Sequence, residues 1–221
     1  MKDRKVAIIT GSSTGVGAAT AMQLAQRGWN VVINYARSQQ EAKATAMQCR
    51  EAEAEVLLIQ ADVSSDTACR DLVHEVYHAW GRIDALVNNA GTTKFCAYDN
   101  LEGLSAEDWH HIYGINVVGA YQMARAAAPH LKEQQGCIVN NASIAGLNGM
   151  GSSIAYAASK GALVTLTLSL AHALGPEVRV NAVCPGFIQG RWTQGFLGER
   201  YEAVNQQFVE AATLQKTALP A

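Results

Sequence analysis

The sequence predicts an α/β fold: one parallel, doubly wound sheet with helices on both faces. Three observations predict it. Short β-branched runs alternate with helical stretches along the chain. The runs are almost continuously apolar, as strands covered on both faces are. No repeat, low-complexity tract or Pro/Gly/Ser-rich linker divides the 221 residues, so a single domain over 1–221 is expected.

The elements read in order. Val6-Ala7-Ile8-Ile9-Thr10 is a strand, followed by an alanine-rich helix over 18–27 that Gly28 ends. Val31-Val32-Ile33-Asn34 leads to a polar helix over 39–52. Val56-Leu57-Leu58-Ile59 leads to a helix over 65–80, with Ser64, Ser65 and Asp66 as candidate caps. Ala85-Leu86-Val87-Asn88 precedes a long helical stretch over 106–132. Cys137-Ile138-Val139-Asn140 precedes a helix over 156–174, and 178–183 is a sixth strand. Strands in this alternation are joined by right-handed crossovers.

Composition excludes several classes. Apolar residues make up 49% and charged residues 16%, which rules out a disordered chain. Seventeen basic against nineteen acidic side chains give a net charge of −2, without the basic excess that phosphate neutralisation on nucleic acid requires. No run approaches the roughly 18 consecutive apolar residues of a membrane span. The opening Met1-Lys2-Asp3-Arg4-Lys5 and five further residues before a glycine are too short for a signal peptide. Cys49, Cys69, Cys96, Cys137 and Cys184 are odd in number and scattered, as reduced thiols are. The expectation is a cytoplasmic protein that binds neither nucleic acid nor membrane.

Between the first strand and the first helix stands Thr10-Gly11-Ser12-Ser13-Thr14-Gly15-Val16-Gly17. Glycines there permit a tight turn and close approach of backbone to a pyrophosphate, which the helix N-terminus attracts. Placed there, the stretch is expected to be a Rossmann-type dinucleotide cradle, with an ordinary glycine turn as the alternative. The acid that holds a ribose 2′-hydroxyl at the end of the second strand is missing, because that stretch reads Asn34-Tyr35-Ala36-Arg37-Ser38. Arg37 suits a 2′-phosphate, so NADP(H) is expected over NAD(H), which remains the alternative. Arg37 read as a plain solvated residue leaves that choice open.

Tyr156 and Lys160 stand four apart on a helix and share a face. A neighbouring ammonium favours a phenolate, so Lys160 is expected to lower the Tyr156 pKa and make the phenol a proton donor and acceptor for a carbonyl or alcohol oxygen. Ser143 follows the fifth strand, at the sheet edge where ligands bind, and can hold the same oxygen.

These motifs, in this order over nearly the whole chain, resemble the short-chain dehydrogenase/reductase family, in particular members similar to 3-oxoacyl-carrier-protein reductases and sugar dehydrogenases. TGxxxGxG is 10–17, NNAG is Asn88-Asn89-Ala90-Gly91 and PG is Pro185-Gly186. The family's Asn, Ser, Tyr and Lys fall on Asn116, Ser143, Tyr156 and Lys160. The resemblance implies Tyr156 as acid/base and Lys160 as pKa modulator and ribose ligand. It implies Ser143 as oxygen positioner, and Asn116 as holder of a water that links Lys160 to solvent. It implies cofactor contacts at Gly11, Ser13, Thr14, Gly15, Val16, Gly17, Arg37, Asp62, Val63, Asn89, Ala90, Gly91, Pro185, Gly186 and Ile188. Asp62 as a helix cap, Asn116 at a helix irregularity and Asn88 as a tie between strands are the plain structural alternatives. Implied too are a small carbonyl or alcohol substrate, and a homodimer or homotetramer built through the helices over 106–132 and 156–174 and the terminal strand.

Two departures stand out. The threonine that follows PG in the family falls on Gly190, with Thr193 nearby. The chain reaches Ala221 soon after the expected substrate-loop segment, 187–214, so a further edge strand is expected to be missing, with the sixth strand left unpaired. A non-catalytic, cofactor-sensing or interaction protein on the same fold is the alternative to an enzyme. His74-Glu75-Val76-Tyr77-His78 matches HExxH, but Leu72, Val73 and Val76 mark the buried face. His74 lies about 200° round the helix from Leu72, so a solvated face is expected and no metal. Met150, Phe187, Trp192 and Phe196 suggest a partly apolar substrate pocket.

Overall fold

The computed structural model describes residues 4–220; Met1–Asp3 of the leader reading, Ala221 and the side chain of Phe196 lie outside the described residues. Six parallel strands form one sheet in the order β3-β2-β1-β4-β5-β6. They are β1 (Val6–Ile9), β2 (Asn30–Tyr35), β3 (Val56–Gln60), β4 (Ala85–Asn88), β5 (Cys137–Asn141) and β6 (Arg179–Val183). Helices α1 (Gly15–Gln26) and α2 (Gln39–Glu51) cover one face. Helices α3 (Asp66–Trp80), α4 (Ala106–Tyr113), α5 (Ala120–Glu133) and α7 (Ile154–Leu174) belong to the other, with the single turn α6 (Ala145–Asn148) ahead of α7.

Alternation along β1 shows why its whole run is apolar. Ala7 and Ile9 pack under α1 and α2, whereas Val6 and Ile8 pack with Leu72, Met123 and Leu131 on the opposite face. A buried carboxylate beside them is paired. Asp84 accepts from the Val6 amide at 2.8 Å and is held by Arg82 at 2.7 Å.

Ser65 caps α3, accepting from the Ala68 amide. That helix turns Leu72, Val73 and Val76 inward and leaves His74, Glu75 and His78 exposed, the arrangement expected of the HExxH segment. α7 is long and apolar enough by length and composition to cross a membrane, yet it packs on β6 and α6 and carries the buried Lys160.

Three features differ from the expectation. α1 begins at Gly15, three residues before the apolar pattern does, because the glycine turn itself supplies its first residues. The long helix over 106–132 is not continuous: Gly114–Gly119 is a π-helical segment between α4 and α5. Residues 187–214 include two short helices, α8 (Arg191–Leu197) and α9 (Tyr201–Ala211), which fold over the mouth of the sheet. As expected, β6 is the sheet edge among the described residues: it pairs only with β5 and leaves Arg179, Asn181 and Val183 exposed.

Candidate active site

The strand order reverses between β1 and β4, and connections leave in opposite directions there, opening a crevice beyond the strand ends. The crevice is a cleft of about 790 Å³. Its floor is stitched together at the parting. The Thr10 hydroxyl oxygen accepts from the Asn89 and Ala90 amides, each at 3.0 Å. Asn89 Nδ2 donates back to the Thr10 and Gly11 carbonyls at 3.0 and 2.9 Å. Asn34, fully buried, accepts from the Gly11 amide at 3.1 Å and donates to the Ala61 carbonyl at 3.0 Å.

The glycines fit this seam for steric reasons. Gly11 has φ +60°, and a Cβ there would stand 2.8 Å from Ala90 Cα. A Cβ on Gly17 would stand 2.4 Å from Asn89 Nδ2 and 2.6 Å from the Gly11 carbonyl. Gly15 instead faces open space, where the N-terminus of α1 meets the cleft. A turn with no side chain in the way, backed by helix amides, fits a pyrophosphate.

Most of the predicted residues line this cleft: Gly11, Ser13, Thr14, Gly15 and Val16 at the turn, Arg37, Asp62 and Val63 beyond β2 and β3, and Asn89, Ala90 and Gly91 beyond β4. Ser143, Tyr156, Lys160, Pro185, Gly186 and Ile188 complete it on the far side. Gly17 and Asn116 do not face it; they sit underneath, against Asn89 and behind Gly91. At one end Asp62 accepts from the Ser64 hydroxyl at 2.7 Å and amide at 2.9 Å. Those bonds, with the nearby Arg37 and His111 charges, hold its carboxyl below the usual carboxylate range. Asp62 thus shapes its own turn, and the helix cap is Ser65.

At the other end, Ser153 caps α7 by accepting from the Tyr156 amide, and the helical spacing sets Tyr156 and Lys160 on one face. Lys160 is only 5% exposed. Its Nζ donates to the Asn141 carbonyl at 2.7 Å and lies 5.7 Å from the centre of the Tyr156 ring. Burial pushes its pKa down to about 8, the neighbouring Cys184 opposing that shift. The Tyr156 phenol moves upward, against the expectation from spacing alone. Burial disfavours the phenolate, a hydrogen bond from Ser143 only partly offsets it, and the Lys160 ammonium is engaged by Asn141 rather than by the phenol oxygen.

The π-helical segment explains Asn116. The extra residue in that turn directs its side chain inward, where it accepts from the Thr92 amide at 2.8 Å and donates to the Thr92 carbonyl at 3.0 Å and Ser159 Oγ at 2.9 Å. Ser159 in turn donates to the Tyr156 carbonyl at 2.7 Å. Asn88, as expected, ties strands: its Nδ2 donates to Asn140 Oδ1 at 2.9 Å. Sequence reading missed Asn34, Ser159 and above all Asn141, whose Nδ2 donates to Asn89 Oδ1 at 2.9 Å while its carbonyl holds Lys160. Its place at the C-terminal end of β5 was the available signal. Gly190 adopts φ +148°, and the Thr193 hydroxyl is engaged by the carbonyls of Ile188 and Gly190 in its own turn.

The short-chain dehydrogenase family model matches residues 5–198. A protein named as ketoacyl reductase 2 of the granaticin polyketide synthase of Streptomyces violaceoruber is 41% identical over 216 residues, covering 97% of this chain and 84% of its own. A solved structure assigned as a short-chain dehydrogenase/reductase from Burkholderia xenovorans superposes with a TM-score of 0.91 at 42% identity, over 99% of this chain and 87% of that one. The NAD+-bound structure of a xylitol dehydrogenase gives 0.88 at 31% identity, over 98% and 87%.

The burial of Lys160 has a measurable sign. Its folded pKa of about 8 lies below the ordinary 10.5, so between those values the unfolded chain binds the proton and the folded chain does not. Stability therefore rises with pH across that window. The melting temperature of the native protein should gain on that of Lys160→Met from pH 8 to pH 10; a pH-independent difference would contradict this burial.

Proposed function

The chain belongs to the short-chain dehydrogenase family, enzymes of the NAD(P)-dependent CH–OH/C=O oxidoreductase class, and from that premise we propose an NADP(H)-preferring oxidoreductase acting on a carbonyl or secondary alcohol. The observation that carries this reading is the placement of Tyr156, Ser143 and Lys160 at one end of the cleft whose other end holds the glycine turn and Arg37.

A nicotinamide dinucleotide held along that cleft supplies or accepts a hydride at its C4. The protein's own groups do the rest. Gly15 and the first amides of α1 would take the pyrophosphate, Gly11 would leave room for it, and Asp62 and Val63 would flank the adenine. Tyr156, kept protonated by burial, gives its proton to the carbonyl oxygen during reduction. Ser143 holds the same oxygen. The Lys160 ammonium above the ring stabilises the phenolate that is left, and Asn116 fixes the backbone around Tyr156 through Ser159. Asn116, behind Gly91, would also hold a water that links Lys160 to solvent. In the reverse direction the same groups take the proton from an alcohol.

Arg37 is exposed at the end of β2, beside Asp62, where a 2′-phosphate can pair with its fork. NAD(H) is the second reading, favoured by the NAD+-bound relative. The substrate-loop role of 187–214 is supported by α8 and α9 lying over the cleft. A homo-oligomer joined through α4, α5 and α7 is supported by the exposed Val118, Tyr121 and Leu168. A cytoplasmic location is supported by the free thiols among the described residues.

Tyr156→Phe should cut turnover of any accepted ketone by about 10²–10⁴-fold, while the rise in melting temperature with cofactor persists. A variant that keeps its rate overturns the proton-transfer role. Arg37→Asp should weaken NADP+ binding by roughly 10–100-fold and leave NAD+ binding within a few-fold, as read by titration. Equal losses for the two nucleotides would refute the 2′-phosphate contact.

A further inference from the structure

Beyond Tyr156 the cleft continues under the α8–α9 cover, where the surface changes character. Trp192 sets its ring 5.9 Å from that of Tyr156, tilted by 46°. Phe95, Met150 and Phe208 line the same stretch, and all four are large apolar side chains that stay substantially exposed, Met150 at 63% and Trp192 at 50%. Exposed apolar groups gathered in one concave place mark a binding surface better than the same groups scattered.

One charge stands among them. The Arg200 guanidinium lies 4.9 Å from the centre of the Phe95 ring. A guanidinium over a ring face can still direct N–H groups at a planar anion. The other lysine and arginine side chains on the cleft wall serve elsewhere. Lys160 donates to the Asn141 carbonyl, Arg191 pairs with Glu41 at 2.6 Å, and Arg37 stands beside Asp62 at the cofactor end. Among the described residues no carboxylate forms an ion pair with Arg200.

We infer that the carbonyl substrate has an apolar, ring-sized body ending in an anionic group, the body lying between Trp192 and Phe95 and the anion on Arg200. The carbonyl and its reduction are taken from the proposed function; the anion site rests on the aromatic wall and the unpaired guanidinium. Trp192 and Phe95 act through area and stacking, and Arg200 selects for charge. Arg200 is thus a specificity-determining residue distinct from the proton donor.

Calorimetric titration with saturating NADP+ tests this with three probes of one shape: 2-naphthoate, 2-naphthyl phosphate and the neutral 2-naphthamide. At least one of the two anions should bind about tenfold more tightly than the amide, and Arg200→Gln should reduce that ratio to about twofold or less. Trp192→Ala should weaken all three together. Equal affinities in the native protein, or a preference that survives Arg200→Gln, would overturn the inference. Reduction of 6-acetyl-2-naphthoate separates the two claims. An Arg200-dependent preference without turnover keeps the anion site and counts against the oxidoreductase reading, whereas turnover without a preference does the opposite.

Discussion

Everything at the candidate site depends on how closely β1 and β4 are held where their connections part. Thr10 and Asn89 exchange four hydrogen bonds across that seam, counting the Ala90 amide and the Gly11 carbonyl. The closeness forbids any side chain at positions 11 and 17. From Asn89 the ties run on through Asn141 to Lys160, so the glycine turn and the ammonium over Tyr156 belong to one connected polar network. A second path joins Thr92, Asn116 and Ser159 to the Tyr156 backbone. Buried hydrogen bonds linked in this way hold the elements they join in one arrangement. Here they tie the glycine turn at one end of the cleft to Tyr156 and Lys160 at the other.

Burial then sets the protonation states. The same enclosure that lowers the Lys160 pKa raises that of Tyr156, and both shifts favour the neutral form. A neutral phenol is the form able to protonate a carbonyl oxygen. The spacing of the two residues along α7 gives no hint of this, since it reports a shared face and says nothing of the solvent removed from it.

The fold was readable because both signals that encode it are local. Apolar runs such as Val31-Val32-Ile33 declare doubly covered strands, and Gly28 and Ser65 punctuate the helices. The cleft residues were readable because motif order places them at strand ends. What escaped was tertiary. The π-helical turn at Gly114–Gly119 has no composition of its own and is stabilised by what Asn116 reaches. Asn34 and Asn141 look like ordinary strand-end polar residues until their partners, 23 and 52 positions away, come into contact. The helices of the cleft cover are too short for their periodicity to declare them, and Trp192 over Tyr156 and Arg200 over Phe95 are pairings that only folding creates.

The proposed reaction moves a hydride between a nicotinamide and a carbon whose oxygen Tyr156 would protonate. The most direct measurement follows an isotope. NADPH deuterated at C4 of the dihydronicotinamide, on each face in turn, is incubated with the protein and 2-acetylnaphthalene, and the alcohol is analysed by mass spectrometry and NMR. One of the two labelled cofactors should deliver its deuterium to the carbinol carbon, with the hydroxyl proton drawn from solvent. An alcohol that carries no deuterium on that carbon from either cofactor would contradict the account.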